Sequence, residues 1–242
     1  MAYNFLGLVN DIGERLNEIQ LTSANFSAAV GVHASMKQAI NSSVNRINRI
    51  NYQWPFNFSL QSDTLTAGDM RYSYPATAKF VDFNTFRIQR DATIGNTSRK
   101  LRQVDYEQYL SNYIDDEHNS SETGIRSIPQ WVSRAPSQEY TLAPAPDEAY
   151  TLDYEVYSLP TALSAYDDVP TIPSDSRDVI VDGAMYFMHL FNGDHETADR
   201  LDGLFKDNVN DMRKLYTNRY EYVRDTRVPE VYNYRATYRT DS

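Results

Sequence analysis

The chain has 242 residues, which is enough for one large domain or two small ones with a buried core. Its formal net charge of −10 argues against general nucleic-acid binding, which needs a basic face. It contains no cysteine, and this excludes disulfides, thiolate nucleophiles and cysteine-type zinc sites. We find no signal peptide and no apolar run long enough to cross a bilayer, so no membrane association is expected.

Tyrosine is unusually abundant, with 19 residues. The side chain joins a large apolar ring to a polar tip, so it suits surfaces that become buried on assembly. The alternative is a core and a sheet rich in aromatic residues. Composition alone leaves both interpretations open.

Two amphipathic helices are predicted in residues 1–55. In the first, apolar residues recur at steps of three and four from Phe5 to Ile19. The second begins near His33 and carries a similar stripe from Met36 to Ile50. It should end near the Trp54-Pro55 pair, because the residue before a proline disfavours the helical region.

Residues 56–165 are predicted to be rich in β-structure. Apolar and polar residues alternate in 149–159, as in a half-buried strand, and further strands are expected at 129–132 and 139–142. The alternation is imperfect in 80–88, which predicts a turn or bulge near 82–84. A short helix is expected at 105–114, followed by an exposed acidic loop at 115–122.

Residues 166–220 are again predicted to be helical, with a helix over 177–191 and another over 195–219. Residues 221–242 show no helical period and read as an extended tail. The order predicts an α+β fold in which N- and C-terminal helices form a helical bundle, with an inserted antiparallel β module and an extended C-terminal tail.

The sequence carries no catalytic motif that we recognise, neither a phosphate-binding P-loop, nor a dinucleotide-binding glycine loop, nor a nucleophile elbow. Asp194, His195 and Asp199 superficially resemble the ligands of a zinc-binding helix, but Asp199 stands where such a helix has its second histidine. The cluster lies at a helix start, where the helix dipole favours acidic side chains, so we expect a capping role. We expect turn or cap roles for Asp167 and Asp168 and a satisfied core position for His189. No enzyme activity, cofactor or metal is therefore predicted.

The tail alternates tyrosine with arginine, two residue types enriched at interface hot spots. The same pattern could also stack on single-stranded nucleic acid, or belong to a loosely packed end. Docking on a partner is the favoured hypothesis. The candidate docking residues, on the portal or on a neighbouring subunit, are Arg224, Arg227, Tyr232, Tyr234, Arg235, Tyr238 and Arg239.

Four segments in a fixed order carry a resemblance to a known family. They are Tyr-Gln-Trp-Pro-Phe at 52–56, the stretch 101–109, the strand 150–160 that ends in Leu-Pro, and Asp-Asp-Val-Pro-Thr-Ile-Pro at 167–173. A helix with Ile180, Gly183 and Ala184 follows. In this order the chain resembles the tail tubular protein A-like head-to-tail adaptors of short-tailed bacteriophages.

The resemblance implies a structural virion protein of the head-tail junction, made in the bacterial cytoplasm. Such adaptors form homo-oligomeric rings, typically of twelve subunits, between the portal protein and the tail nozzle or tail tube protein. DNA passes through the channel without specific binding, and C-terminal segments commonly dock on the portal. Twelve copies of a chain with charge −10 carry about 120 formal negative charges, which disfavours adhesion of DNA.

Two alternatives from other classes stay open at this point. One is a carbohydrate- or receptor-binding tail component, in which Trp54 and Trp131 would stack on sugars. The other is a metal-dependent enzyme built on Asp194, His195 and Asp199.

Overall fold

The computed structural model describes residues 2–51, 53–91, 97–119 and 123–216. Its helices are α1 (Phe5–Arg15), α2 (Val32–Ile50), α3 (Tyr106–His118), α4 (Arg177–Phe191) and α5 (His195–Tyr216). Its strands are β1 (Phe58–Thr64), β2 (Arg71–Ser73), β3 (Ala78–Asp91), β4 (Thr97–Lys100), β5 (Arg102–Val104), β6 (Trp131–Ala135), β7 (Glu139–Ala143) and β8 (Thr151–Ser158). The predicted α+β class is confirmed.

The helices α1, α2, α4 and α5 contribute their apolar faces to one shared core. The stripe of α1 is buried as predicted from Phe5 to Ile12, but the prediction that it continues to Ile19 is wrong. The helix ends at Arg15, and Asn17 adopts a positive φ of 56° that turns the chain away. Ile19 is consequently 82% exposed.

Helices α2 and α4 approach each other closely at Gly183. A Cβ atom added there would lie 2.2 Å from Ser43 Oγ and 2.5 Å from Cε2 of Phe205. Ser43 Oγ also donates a hydrogen bond of 2.8 Å to the carbonyl of Ile180 across the same contact. Glycine is therefore required at this position for the helices to pack at this distance.

The strands form two four-stranded sheets, with the orders β1-β8-β3-β4 and β2-β7-β6-β5. The pairs are antiparallel except for β5 with β6, which run parallel. This departs from the antiparallel module that the sequence predicts. The reason is that α3 lies between β5 and β6 in the chain and acts as the crossover that a parallel pair requires.

The predicted irregularity near residues 82–84 is confirmed. The register of β3 against β8 shifts between Asp82 and Arg87. Within the bulge, Asp82 Oδ1 accepts a hydrogen bond of 2.9 Å from the amide of Asn84. The amide of Glu155 donates to Thr85 Oγ1 at 3.0 Å, so a side chain replaces a backbone acceptor in the ladder.

Aromatic residues fill the space between the two sheets. Phe86 stacks on Tyr154 with ring centroids 4.5 Å apart, and Tyr140 meets Tyr154 edge-on at 5.6 Å. Both tyrosine hydroxyls donate to Asp63 Oδ2 at 2.8 Å. Burial, and then the bonds to Asp63, raise the pKa of both tyrosines. Part of the high tyrosine content therefore belongs to the core.

Residues 115–118, which the sequence predicts to begin an exposed acidic loop over 115–122, are helical instead. Helix α3 continues to His118, and Glu117 pairs with Arg71 of β2 while accepting a 2.9 Å hydrogen bond from Tyr109. Burial opposes ionisation of Glu117, but the bonds from Arg71 and Tyr109 lower its pKa overall. The long-range partner explains why the helix extends through residues with no apolar stripe.

A polar network joins the helices to the sheets. Asn57 Nδ2, just before β1, donates to Asn48 Oδ1 of α2 at 2.6 Å, and Thr171 Oγ1 donates to Asn57 Oδ1 at 3.3 Å. Nearby, the side chain of Asn41 exchanges two hydrogen bonds with the backbone of Leu163, at 2.8 and 3.0 Å. These buried or half-buried bonds fix where the β module leaves the helices.

Candidate interaction surfaces

The tail residues singled out in the sequence all lie outside the described residues. The last residue that the structure describes is Tyr216 of α5. Its hydroxyl donates to Asp175 Oδ1 at 2.5 Å, and its ring meets Phe56 edge-on at 6.0 Å. The chain thus enters residues 217–242 beside the start of β1, where the helices meet the β module.

Asp194 caps α5, as the sequence predicts. Its Oδ1 accepts the amide of Thr197 at 3.2 Å, and its Oδ2 lies 3.1 Å from Nδ1 of His189. The hydrogen bonds from Thr197 lower the pKa of Asp194. His189 is half-buried and satisfied by this contact. Within the ranges the structure describes, no group of three or more histidine and carboxylate side chains is arranged to hold a metal ion.

Asp168 closes a turn, which confirms the second predicted structural role. Its Oδ2 accepts the amides of Ser164 at 2.6 Å and Ala165 at 2.8 Å. These backbone bonds lower the pKa of Asp168. Its carboxylate is therefore occupied in local structure.

The two tryptophans do not form a sugar-stacking platform. Trp54 is completely buried, and its Nε1 donates to the carbonyl of Ile47 at 3.0 Å. Trp131 is half-buried, and the guanidinium of Arg102 lies 5.6 Å from its ring centroid. The geometry gives no support to the carbohydrate-binding alternative at these residues.

An apolar row crosses the outer face of the β1-β8-β3-β4 sheet. Phe58, Tyr157 and Phe80 lie opposite one another on three neighbouring strands, with ring centroids 6.0 and 6.1 Å apart. Phe58 is 45% exposed, and Leu60, two residues further along β1, is 59% exposed. Sequence reasoning missed this surface, although the spacing of Phe58 and Leu60 by two residues was a usable signal.

Acidic side chains continue the same outer face. Asp82, Asp153 and Glu155 share it with Leu60, which lies opposite Glu155. None of the three carboxylates has a salt bridge within the described part of the chain. The face next to β1 is therefore apolar and negatively charged.

Basic side chains occupy the opposite edge of the sheet. Arg87 of β3 lies opposite Lys100 of β4, and both are exposed. Among the described residues, neither makes a salt bridge with a carboxylate. Arg87 also lies opposite Asp153 of β8, so basic and acidic side chains adjoin in the middle of this face, and Lys100 lies at the edge farthest from Leu60.

No helix in the described ranges is both long enough and apolar enough to span a membrane. A search of curated proteins found no match to the chain. A family model described as SU10 adaptor protein matches residues 3–237, which is nearly the whole sequence. The match supports the resemblance to phage adaptors; the tail tubular protein A-like group within them stays a prediction.

Proposed function

The chain belongs to the SU10 adaptor protein family, and from this premise we propose that it is the head-to-tail adaptor of a tailed phage virion. In this proposal a ring of copies, twelve by the resemblance, lies between the portal and the tail nozzle and surrounds the passing DNA. The single observation that carries the proposal is the extent of the family match. It spans the helical core, both sheets and most of the tail, so it does not rest on one shared module.

The surface chemistry supports an assembling protein. Phe58, at 45%, and Leu60, at 59%, are exposed on one strand of the outer sheet face, where the Phe58 ring packs against Tyr157. Exposed apolar patches on a folded chain mark sites that a partner covers. The candidate catalytic cluster around Asp194 is accounted for by helix capping, so the polar residues point to structure rather than to chemistry.

We further propose that three parts of the chain have different roles. Residues 1–55 and 166–220 form one helical unit, residues 56–165 form a β module that faces another component, and residues 221–242 form a docking tail. Tyr216, the last described residue before the tail, lies beside Phe56 at the junction of the two parts. From there it can reach either the portal or an adjacent subunit.

The test is to measure the mass of the purified full-length chain in solution, alone and mixed with the cognate portal ring, with negative-stain images of both samples. We expect a ring in the mixture, with about one adaptor for each portal subunit. Portal binding templates the assembly of subunits that associate weakly by themselves, so a monomer in the first sample is compatible with the proposal. A chain that stays monomeric and ignores the portal contradicts it.

The role of the tail is tested by deleting Val228 to Ser242. We expect the same melting temperature as the full chain and loss of portal binding. The control is Arg213→Ala, which removes an exposed arginine of α5 outside the tail and should leave portal binding intact. If the truncated chain assembles normally, the tail has no docking role.

A further inference from the structure

In the described part of the chain, β1 and β4 are the two edge strands of the β1-β8-β3-β4 sheet. Among the described strands, β1 pairs only with β8, and β4 pairs only with β3. Open edges present unpaired backbone groups that template further strands, and most folded proteins shield them. Here the longer edge, β1, is flanked by exposed Phe58 and Leu60 instead of by a protecting charge or proline.

The unpaired backbone groups can be assigned along each edge. The amide of Leu65 donates to the carbonyl of Tyr150 at 2.7 Å, so alternation directs the backbone groups of Leu60 and Ser62 away from β8. The amide of Leu101 donates to the carbonyl of Phe86 at 2.9 Å. By the same alternation, the backbone groups of Ser98 and Lys100 point away from β3.

The two edges fit each other in direction. Each neighbouring pair in the sheet is antiparallel, so in the order β1-β8-β3-β4 the strands β1 and β4 run in opposite directions. Placing β4 of one copy beside β1 of the next continues the same sheet with antiparallel pairing. The outer faces of both copies then lie on the same side.

The charges favour this head-to-tail pairing over a symmetric one. Pairing β1 with β1 gives a closed two-fold dimer and no ring, and pairing β4 with β4 would place the Lys100 side chains of the two copies on neighbouring strands. Like charges at such positions are destabilising. Pairing β4 with β1 instead places Lys100 opposite Leu60, so that only β1 lies between Lys100 and Glu155. The methylene stem of Lys100 then covers Leu60.

We propose that β4 of one copy pairs with β1 of the adjacent copy, with Lys100 opposite Leu60 and Ser98 opposite Ser62, so that a continuous sheet runs around the ring. The proposal rests on the proposed adaptor function, since it assigns the contact between subunits of that ring. A contact between two different surfaces of the same chain repeats from copy to copy and closes when the rotation per subunit allows. It is therefore suited to a ring and needs no two-fold axis.

The test uses the absence of native cysteine in the full chain. Ser62→Cys and Ser98→Cys together place two thiols on directly opposed residues, whose Cα atoms would be about 5.5 Å apart in a hydrogen-bonded antiparallel pair. This separation is within the range for a disulfide. After mild oxidation of the complex with the portal ring, a non-reducing denaturing gel should show a ladder of covalent multimers that a reductant collapses to monomer.

The controls separate this contact from others. Each single variant should give no ladder. Ser73→Cys combined with Ser98→Cys, which uses an exposed serine on the edge of the other sheet, should also give none. Dimers from Ser62→Cys alone would show β1 against β1 and overturn the proposal. A Ser62→Cys thiol of the chain without portal that reacts with a maleimide only after residues 228–242 are deleted would overturn it in favour of the tail as occupant.

A charge exchange gives a second readout that needs no thiol. Lys100→Glu should lower the yield of rings, because it places a negative charge two strands away from Glu155 on the same face of the sheet. Adding Glu155→Lys to the same chain should restore the yield. If rings form on the portal but neither the disulfide ladder nor the rescue by Glu155→Lys is seen, the proposed contact is overturned while the adaptor function stands. If no ring forms with the unmodified chain, the adaptor function itself is contradicted, and the contact with it.

Discussion

Replacing Gly183 with alanine should destabilise the chain, although alanine is the better helix former. The added Cβ would lie 2.2 Å from Ser43 Oγ and 2.5 Å from the Phe205 ring, and both neighbours are buried. Forcing extra atoms into a packed core costs about 1–3 kcal/mol, and contacts this short point to the upper end. The gain in helix propensity offsets about 1 kcal/mol. The expected net loss is about 2 kcal/mol, or a decrease in melting temperature of about 4–8 °C.

Gly203 provides the matched control for this substitution. It lies on the exposed face of α5, and a Cβ atom added there meets nothing within 4 Å. Gly203→Ala should therefore raise the free energy of unfolding by about 1 kcal/mol through helix propensity alone. The same chemical change should thus act in opposite directions at the two sites.

The assay is thermal and urea unfolding of the full chain followed by far-ultraviolet circular dichroism. A double-mutant cycle with Ser43→Ala isolates the clash: the single Ser43→Ala loses its hydrogen bond to Ile180, but the double variant should be more stable than the sum of the two changes implies. If Gly183→Ala is as stable as Gly203→Ala, the close contact between α2 and α4 is refuted.

Two further predictions concern the β module. Asp63→Ala removes the acceptor shared by the hydroxyls of Tyr140 and Tyr154, and should lower the free energy of unfolding by about 2–4 kcal/mol, measured by urea unfolding. Asp147→Ala, which removes the acceptor of a single hydroxyl in an exposed turn, should cost less, and equal losses would argue against the shared site. For Glu117, the folded-state pKa lies below its ordinary value of 4.5, so its stabilising effect is full above that pH and is lost as the pH falls through the lowered value. The difference in urea midpoint between the wild type and Glu117→Gln should be constant from pH 7 to about 5 and shrink below pH 4.5; a difference that is undiminished at pH 3 would show that the carboxylate is not the stabilising group.

Periodic patterns in the sequence predicted the helices well. The cap at Asp194, the bulge in β3 and most of the stripes of α2 and α5 follow from residues within a few positions of each other, although the predicted last stripe members, Ile50 and Leu215, are exposed. Local patterns of this kind depend on backbone geometry, which has a period of 3.6 residues in helices and 2 in strands. They can therefore be recognised without knowing what packs against them.

Interactions between distant residues could not be predicted in the same way. The extension of α3 depends on the pairing of Glu117 with Arg71, which lies 46 residues away in the sequence. The parallel pairing of β5 with β6 depends on where α3 crosses the sheet. Likewise, the outer surface of the first sheet exists only because β1, β8 and β3 become neighbours.

The sequence by itself determined the α+β class, most of the helices, the local role of the capping carboxylates and the resemblance to phage adaptors. The family match over residues 3–237 supports that resemblance at the level of a phage adaptor. Only the tertiary structure decided that one sheet separates Asp153 and Glu155 from Lys100 and has β1 and β4 as its edge strands among the described residues. The physical reason is that strand order and register bring together residues that are far apart in the chain, and a local pattern holds no information on which strands will become neighbours.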